Sequence, residues 1–399
     1  MRPAAISDAV EGVQPQMVVE PGSAEELAKI LRLANAAGLA VVPRGGSTKM
    51  AWGNRPSGAD LILSIARLDR VLEHAWGDMT ATVQAGCTVA NLQRILSEHG
   101  QRLALDTLWS ERATIGGMLA TNDSGSLRVR FGSLRDLIIG VTLVLADGTI
   151  AKSGGKVVKN VAGYDLPKLA TGALGTLGVI SEAIFRLHPL ARETRTVSLT
   201  GTLAEVNKLL LDIQHSQLAF TGLQLRAQSE ASPQLDVRFE GTAAGIEAQS
   251  RQLMKLASGQ METSGDVWNA RQKLWSGGGA ALIGKFSVLP SQLSEFCALV
   301  ERACAAERMR WQVVGQGVGV GVVRLEAPSE QALPAALTSL CQETEGLGGT
   351  FVVLDAPASV KARMEVWGAA GDAQPLMLRV KQQLDPEGIL NPGRFVGGI

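Results

Sequence analysis

The chain has 399 residues, 46% of them apolar and 19% charged, with 38 Lys/Arg against 38 Asp/Glu. Such a length suits two or three domains with ample core, and zero net charge excludes a global electrostatic case for nucleic acid or an anionic membrane surface. Cys87, Cys297, Cys304 and Cys341 form no C-x-x-C pair and no compact spacing with histidine, which excludes a readable zinc or iron–sulfur site.

Taken in order, the first stretch reads strand, helix, strand. Met17–Glu20 is a short apolar strand ended by Pro21-Gly22. Ser23 and Glu26 have capping-box spacing, and Leu27, Ile30, Leu31, Leu33 and Ala34 supply a helical apolar stripe that Gly38 closes. A buried strand, Leu39–Val42, then runs into Pro43-Arg44-Gly45-Gly46-Ser47-Thr48. Leu61–Ser64 and the period-two segment Met79–Gln84 are strands, and Thr88–Glu98 is an amphipathic helix ended by Gly100. A helix over Thr114–Asn122 follows, opening on Gly116-Gly117; then Gly140–Leu145 and Ile150–Lys152 form a hairpin through Asp147-Gly148. This domain closes after Phe185–Leu187, at His188-Pro189.

Beyond residue 195 the alternation is β-α-β-β, with helices at 203–214 and 243–256, and it recurs from Ala281 with helices at 291–302 and 333–343. Two ferredoxin-like halves explain the repetition. The chain opens with no signal peptide and contains no apolar run of about 18 residues, so a cytoplasmic protein without a membrane span is expected. Between Arg128 and Lys168 seven Lys/Arg face three Asp/Glu, which suits either a phosphate, an acidic partner or a solvated surface.

The common nucleotide fingerprints are missing. No G-x-G-x-x-G opens a helix after a strand; Gly315, Gly317, Gly319 and Gly321 alternate with other residues in a plain strand; and the Walker pattern fails at Ile150 and Val157. Three other glycine turns remain. In Pro43–Thr48 two glycines expose consecutive N–H groups, with Ser47, Thr48 and Arg44 adding donors and charge. Gly116-Gly117 stands at a helix N-terminus, where free N–H groups and the macrodipole attract anions. Gly172-Ala173-Leu174-Gly175-Thr176-Leu177-Gly178 feeds the strand containing Val179-Ile180 and would let a flat ring approach. Each alone is equally an ordinary turn.

Together and in this order, the three turns resemble the FAD-binding fold shared by vanillyl-alcohol oxidase and para-cresol methylhydroxylase. The resemblance covers residues 15–190 and touches Leu390-Asn391-Pro392-Gly393. A narrower one is carried by Lys159-Asn160-Val161-Ala162-Gly163-Tyr164-Asp165-Leu166 with Gly154-Gly155 before it and Gly175–Val179 after it. Thr48-Lys49 with Trp52-Gly53 points the same way. These segments look like the smaller FAD-binding subunit of bacterial glycolate oxidase.

The resemblance implies an α+β chain of two domains: a PCMH-type FAD-binding domain at 1–190, a ferredoxin-like cap at 191–374, and a tail at 375–399 returning to the first domain. It assigns Arg44, Gly45, Gly46, Ser47 and Thr48 to the FAD pyrophosphate. Thr114, Ile115, Gly116, Gly117, Thr121 and Asn122 fall to the pyrophosphate and the inner face of the flavin. Gly178 and Ile180 fall to the adenine end, and Asn160, Gly163 and Tyr164, the single tyrosine, to the flavin ring. Relatives that tether flavin covalently do so through a histidine in the first turn; here Ser47 stands in that stretch and residues 1–73 contain no histidine, so FAD is expected to be non-covalent.

Related single-chain enzymes that oxidise 2-hydroxy acids carry a C-terminal histidine cluster, often with a divalent metal. The four histidines here, His74, His99, His188 and His215, offer no ligand spacing, so no metal is expected and the catalytic base stays unassigned. Two explanations are open. The chain is a flavin subunit working beside a larger homologous FAD-binding subunit and an iron–sulfur subunit, converting glycolate to glyoxylate with quinone as final acceptor. Otherwise it oxidises a 2-hydroxy acid or alcohol by itself through an unrecognised residue. A third possibility is an assembly subunit that keeps the fold and binds little or no FAD.

Overall fold

In the first of the two sheets near the N-terminus, short parallel strands alternate with a capped helix. Strand β1 (Arg2–Pro3) pairs antiparallel with β2 (Met17–Val19). Helix α1 (Ala24–Ala37) starts where the Ser23 side chain accepts from the Glu26 amide, and ends at Gly38, whose φ of 63° is the left-handed turn glycine makes without strain. The Glu26 carboxylate accepts from the Gly22 amide instead of completing the box on Ser23. Leu27, Ala28, Leu31 and Ala34 are buried along one face of α1, each leucine contributing about 2 kcal/mol by leaving water. Strands β3 (Val41–Arg44) and β4 (Leu61–Ser64) complete a sheet of order β1-β2-β4-β3, parallel at β2/β4 and β4/β3.

Strands β5 (Val71–Ala75) and β6 (Thr80–Gln84) begin a second, antiparallel sheet. Helix α2 (Val89–Ser97) follows, capped by Thr88, then the short strand β7 (Gln101–Arg102). His99 lies beyond α2 and stacks on Trp76, with ring centroids 5.5 Å apart and edge-on to His74 at 5.2 Å. Helix α3 (Ile115–Thr121) is capped by Thr114 and stopped by Asn122 at φ 47°. Strands β8 (Ile138–Val144), β9 (Ile150–Gly154) and β10 (Val179–Arg186) finish the sheet in the order β5-β6-β10-β8-β9, and β11 (His188–Pro189) pairs with β7.

The second unit is one antiparallel sheet with helices. β12 (Glu193–Thr200), α4 (Leu203–His215), β13 (Phe220–Gln228), β14 (Ala231–Gly241), α5 (Ala243–Leu256) and β15 (Met261–Thr263) form its first half. β16 (Ala280–Ser287), α6 (Leu293–Ala305), β17 (Arg310–Gln316), β18 (Val320–Ala327), α7 (Leu333–Gly346) and β19 (Thr350–Asp355) form its second. The order β15-β12-β14-β13-β17-β18-β16-β19 is two ferredoxin-like half-sheets joined edge to edge at β13/β17. The alternating glycines near Gly317 belong to a hairpin rather than a plain strand: Gly319, at φ 82°, turns β17 into β18.

The computed structural model describes residues 1–156, 164–257, the backbone of 261–263, and 266–399. Its contacts divide into two units: 1–124 with 132–190 and 369–399, and 125–131 with 191–368. Each has its own apolar core, around Leu31, Leu63, Met118 and Phe185 in the first and around Leu225, Phe239, Phe286 and Phe296 in the second.

Candidate functional site

At the carboxyl end of β3 the first unit has a groove lined by Pro43, Arg44 and Gly45, by Ile65 after β4, by Gly116, Gly117 and Ala120 of α3, and by Ala173–Gly175 and Leu177–Ile180 leading into β10. Six of the residues expected at a dinucleotide therefore meet on one surface: Arg44, Gly45, Gly116, Gly117, Gly178 and Ile180. They can meet because the backbones touch. A Cβ at Gly45 would stand 2.1 Å from Thr114 Oγ1, and one at Gly46 1.7 Å from the Arg112 carbonyl oxygen.

The two glycine pairs do different work, and here the expectation of two anion nests needs correction. In α3 the N-terminal amides are already bonded: Ile115 N donates to Cys87 O (2.9 Å), Gly116 N to Ala85 O (2.7 Å), Gly117 N to Thr114 Oγ1 (3.3 Å) and Met118 N to Thr114 O (2.8 Å). No N–H is left for a phosphate there, and the glycines serve close packing, with a Cβ at Gly116 only 2.9 Å from that of Ala85. The turn after β3 is the opposite case. The amides of Gly45, Gly46, Ser47 and Thr48 donate to no group among the described residues, and Ser47 holds φ 58°. Consecutive unspent N–H groups around a left-handed residue make an anion-binding concavity. The amides of Gly175, Leu177 and Gly178 are likewise unspent among the described residues.

Side-chain charge flanks the turn. Arg44 Nη1 lies 2.6 Å from Asp8 Oδ1, and Arg2 Nη1 2.7 Å from Asp8 Oδ2. Hydrogen bonds from Arg2 and then Arg44 hold the buried Asp8 carboxyl well below the usual carboxylate range. Asp8 carries no sequence signal, since its partners arrive through tertiary pairing. Among the described residues the basic stretch is dispersed: Arg128 and Arg130 belong to the second unit, Arg135 donates to the Thr171 carbonyl, Lys156 pairs with Glu73, and Lys168 pairs with Asp165.

The tail reaches both walls of the groove. Lys381 Nζ, on the helix Gln374–Leu384, donates to the Thr176 and Leu390 carbonyls at 2.8 and 3.0 Å and pairs with Asp385 at 2.5 Å. Burial pushes the Lys381 ammonium down while Asp385 opposes that shift. Asn391 N donates to Val41 O and its side chain to Leu174 O. Arg394 donates to the Met50 and Trp52 carbonyls; burial lowers it to about 10.

The other expected residues fall as follows. Thr114 and Ile115 are buried in the cap and first turn of α3. Thr121 Oγ1 donates to the Gly117 carbonyl (2.8 Å) within its own helix. The Asn122 Oδ1 is buried with no hydrogen-bond partner among the described residues, an acceptor of the kind an imide N–H would satisfy. Tyr164 is 89% exposed, so it is no packed core phenol, and its carbonyl accepts from Ser153 Oγ. Asn160 and Gly163 lie outside the described residues. No group of three His, Cys, Asp or Glu side chains among the described residues is arranged to hold a metal.

Comparison with known proteins points to FAD as the cofactor. A family model described as an FAD binding domain matches residues 15–154, and one described as the C-terminal domain of FAD linked oxidases matches residues 368–395, the stretch containing the bracing tail. The mitochondrial D-lactate dehydrogenase [cytochrome] of Arabidopsis thaliana is 28% identical over 96% of this chain and 73% of its own length. Glycolate oxidase subunit GlcD of Bacillus subtilis is 35% identical over 46% of this chain and 39% of its own. The structure of p-cresol methylhydroxylase with substrate bound superposes with a TM-score of 0.78 at 16% identity, covering 96% of this chain and 90% of that one. Unspent amides at Gly45, Gly175, Leu177 and Gly178 line one groove, and those of Gly46, Ser47 and Thr48 follow directly on Gly45, a set that suits a dinucleotide diphosphate and base. The chain thus has a PCMH-type FAD-binding fold, and its cofactor is FAD.

Proposed function

We propose that this chain is an FAD-dependent oxidoreductase acting on a small 2-hydroxy acid. The observation that carries the reading is the groove lined by Gly45, Gly175, Leu177 and Gly178, whose amides, with those of 46–48 directly after Gly45, have no other partner among the described residues. When bound, FAD supplies the hydride acceptor for a C–H bond adjacent to a hydroxyl. In this reading the 45–48 amides hold the diphosphate, Arg44 adds charge steadied by Asp8, and the 175–180 turn faces the adenine end. The FAD is non-covalent, since Ser47 occupies the first turn and offers no nitrogen for a tether. A base for the hydroxyl proton and a cation for the carboxylate are required by the chemistry; the groove residues do not supply that base.

The finer reading is the flavin subunit of a glycolate oxidase-type complex, joined to a larger homologous FAD-binding subunit and an iron–sulfur subunit and feeding quinone. Its support is the glycolate oxidase relative, whose similarity is confined to about half of this chain. A second reading, an enzyme that oxidises D-lactate or a similar acid unaided, is favoured by the D-lactate dehydrogenase relative that aligns across nearly the whole chain. No described helix is long and apolar enough to cross a membrane.

Anaerobic addition of glycolate or D-lactate to the purified yellow chain separates these. Bleaching of its flavin bands by either acid supports independent catalysis. Bleaching only after co-purified subunits are restored supports the complex. A folded, colourless chain that takes up no FAD would overturn both.

A further inference from the structure

Two segments outside the glycine turns meet directly behind the anion-binding turn. Lys49, the residue after Thr48, places Nζ 3.2 Å from Asp123 Oδ2, with side chains only 4% and 1% exposed. The ammonium also lies 5.7 and 5.6 Å from the ring centres of Trp52 and Trp109, a range in which aromatic faces attract cations. Asp123 Oδ2 further accepts from Thr107 Oγ1 at 2.5 Å and from Leu108 N at 2.9 Å. Trp109 holds φ 53°, and its carbonyl accepts from Arg112 N and Ala113 N at 2.8 and 2.7 Å. That turn sets the Arg112 carbonyl against Gly46. Contacts therefore run from Lys49 through Asp123, Leu108 and Trp109 to Arg112 and return to Gly46, enclosing the turn whose amides are unspent.

A buried ion pair is a poor source of net stability, because stripping water from two charges offsets their attraction, and an apolar pair of similar volume often serves as well. Its two ends nevertheless demand a particular backbone: Lys49 must leave the turn inward, and Asp123 must follow directly on the left-handed stop of α3 at Asn122. We propose that Lys49 and Asp123 are positioning residues for the diphosphate, fixing the 45–48 amides against the 107–112 segment so that they converge on one anion. The proposal rests on the assignment of FAD to this groove and adds residues that do not line it.

The test begins with FAD titration of the parent apoprotein; no uptake there would remove the FAD assignment itself. With binding established, K49M is expected to weaken FAD affinity roughly 30-fold or more, since it strands a buried carboxylate beside the turn. The double variant K49M/D123L removes both charges. It is expected to melt close to the parent yet bind FAD roughly tenfold more weakly, a split between stability and affinity that a purely structural pair would not give. In the parent, FAD should slow amide exchange across 107–112 together with 45–53. A double variant with the parent's affinity, or exchange at 107–112 indifferent to FAD, overturns the proposal while leaving the FAD assignment standing.

Discussion

Replacing Gly46 by alanine puts the anion-binding turn to its sharpest test. An ideal Cβ there falls 1.7 Å from the Arg112 carbonyl oxygen and 2.8 Å from its carbonyl carbon. An ordinary contact begins near 3.4 Å, so one backbone or the other must give way by about 1.7 Å. The obstacle cannot rotate aside, because Arg112 belongs to the turn in which its own N–H and that of Ala113 donate to Trp109 O. Overpacking of this kind costs about 1–3 kcal/mol, and a backbone obstacle belongs at the upper end. If relaxation swings the 45–48 amides off the phosphate, about 3 kcal/mol appears as a roughly 100-fold rise in the Kd for FAD. Fluorescence titration of apoprotein with FAD measures it, with thermal melts of the apo form in parallel. Gly77→Ala is the control, since no atom lies within 4 Å of its added methyl. A G46A chain whose Kd stays within about threefold of the parent would refute the reasoning, because the turn would then tolerate a displacement that its proposed role forbids.

Three further outcomes follow from buried charge and buried sulfur. Because Arg2 and Arg44 hold the Asp8 carboxyl below its ordinary range, the folded chain takes up that proton less readily than the unfolded one; the stabilisation is complete above the ordinary aspartate range and is lost as pH falls below about 4. The urea midpoint of the parent should therefore drop more steeply from about pH 5 to 3 than that of D8N. K381M leaves the fully buried Asp385 carboxylate without its cation and should cost about 3–5 kcal/mol in urea unfolding, most of it recovered in K381M/D385L. Burial pushes the thiols of Cys297 and Cys304 up to about 12 and that of Cys341 up to about 11. The buried Cys297 and Cys304 should ignore a disulfide reagent at about pH 8 until the chain is unfolded, and rapid native labelling of these two would contradict that burial.

What the sequence made legible was what depends on neighbours within a few residues. Ser23, Thr88 and Thr114 cap the helices they precede because a short oxygen side chain meets an amide three positions on. The cap's two ferredoxin-like halves were legible because strand and helix periodicities alternate in a repeated order. The glycine pairs were legible as places of close approach, but not as to what approaches. Gly116-Gly117 reads as an anion site at a helix N-terminus until the Ala85 carbonyl and the Thr114 hydroxyl are seen to take its amides. Gly45-Gly46 reads as an ordinary turn until its amides are found without partners. Asp8 with Arg44 and Lys49 with Asp123 were invisible for the same reason, each pair being joined only by tertiary structure.

The tail explains how the second wall of the groove acquires its donors. In a trans peptide the carbonyl and the following N–H point in opposite directions. Asn391 donates to the Leu174 carbonyl and Lys381 to the Thr176 carbonyl, both from the tail. Each bond fixes one peptide plane, so the N–H groups of Gly175 and Leu177 must point away from the tail, and both residues line the groove. Arg394 also grips the carbonyls of Met50 and Trp52, beyond the 45–48 turn, tying the tail to the segment after β3. The Gly175 and Leu177 amides left for a dinucleotide are thus a consequence of where the Leu174 and Thr176 carbonyls have been tied. The two matched segments, 15–154 and 368–395, therefore meet in one hydrogen-bond set, since Asn391 and Arg394 of the second tie carbonyls of Val41, Met50 and Trp52 in the first.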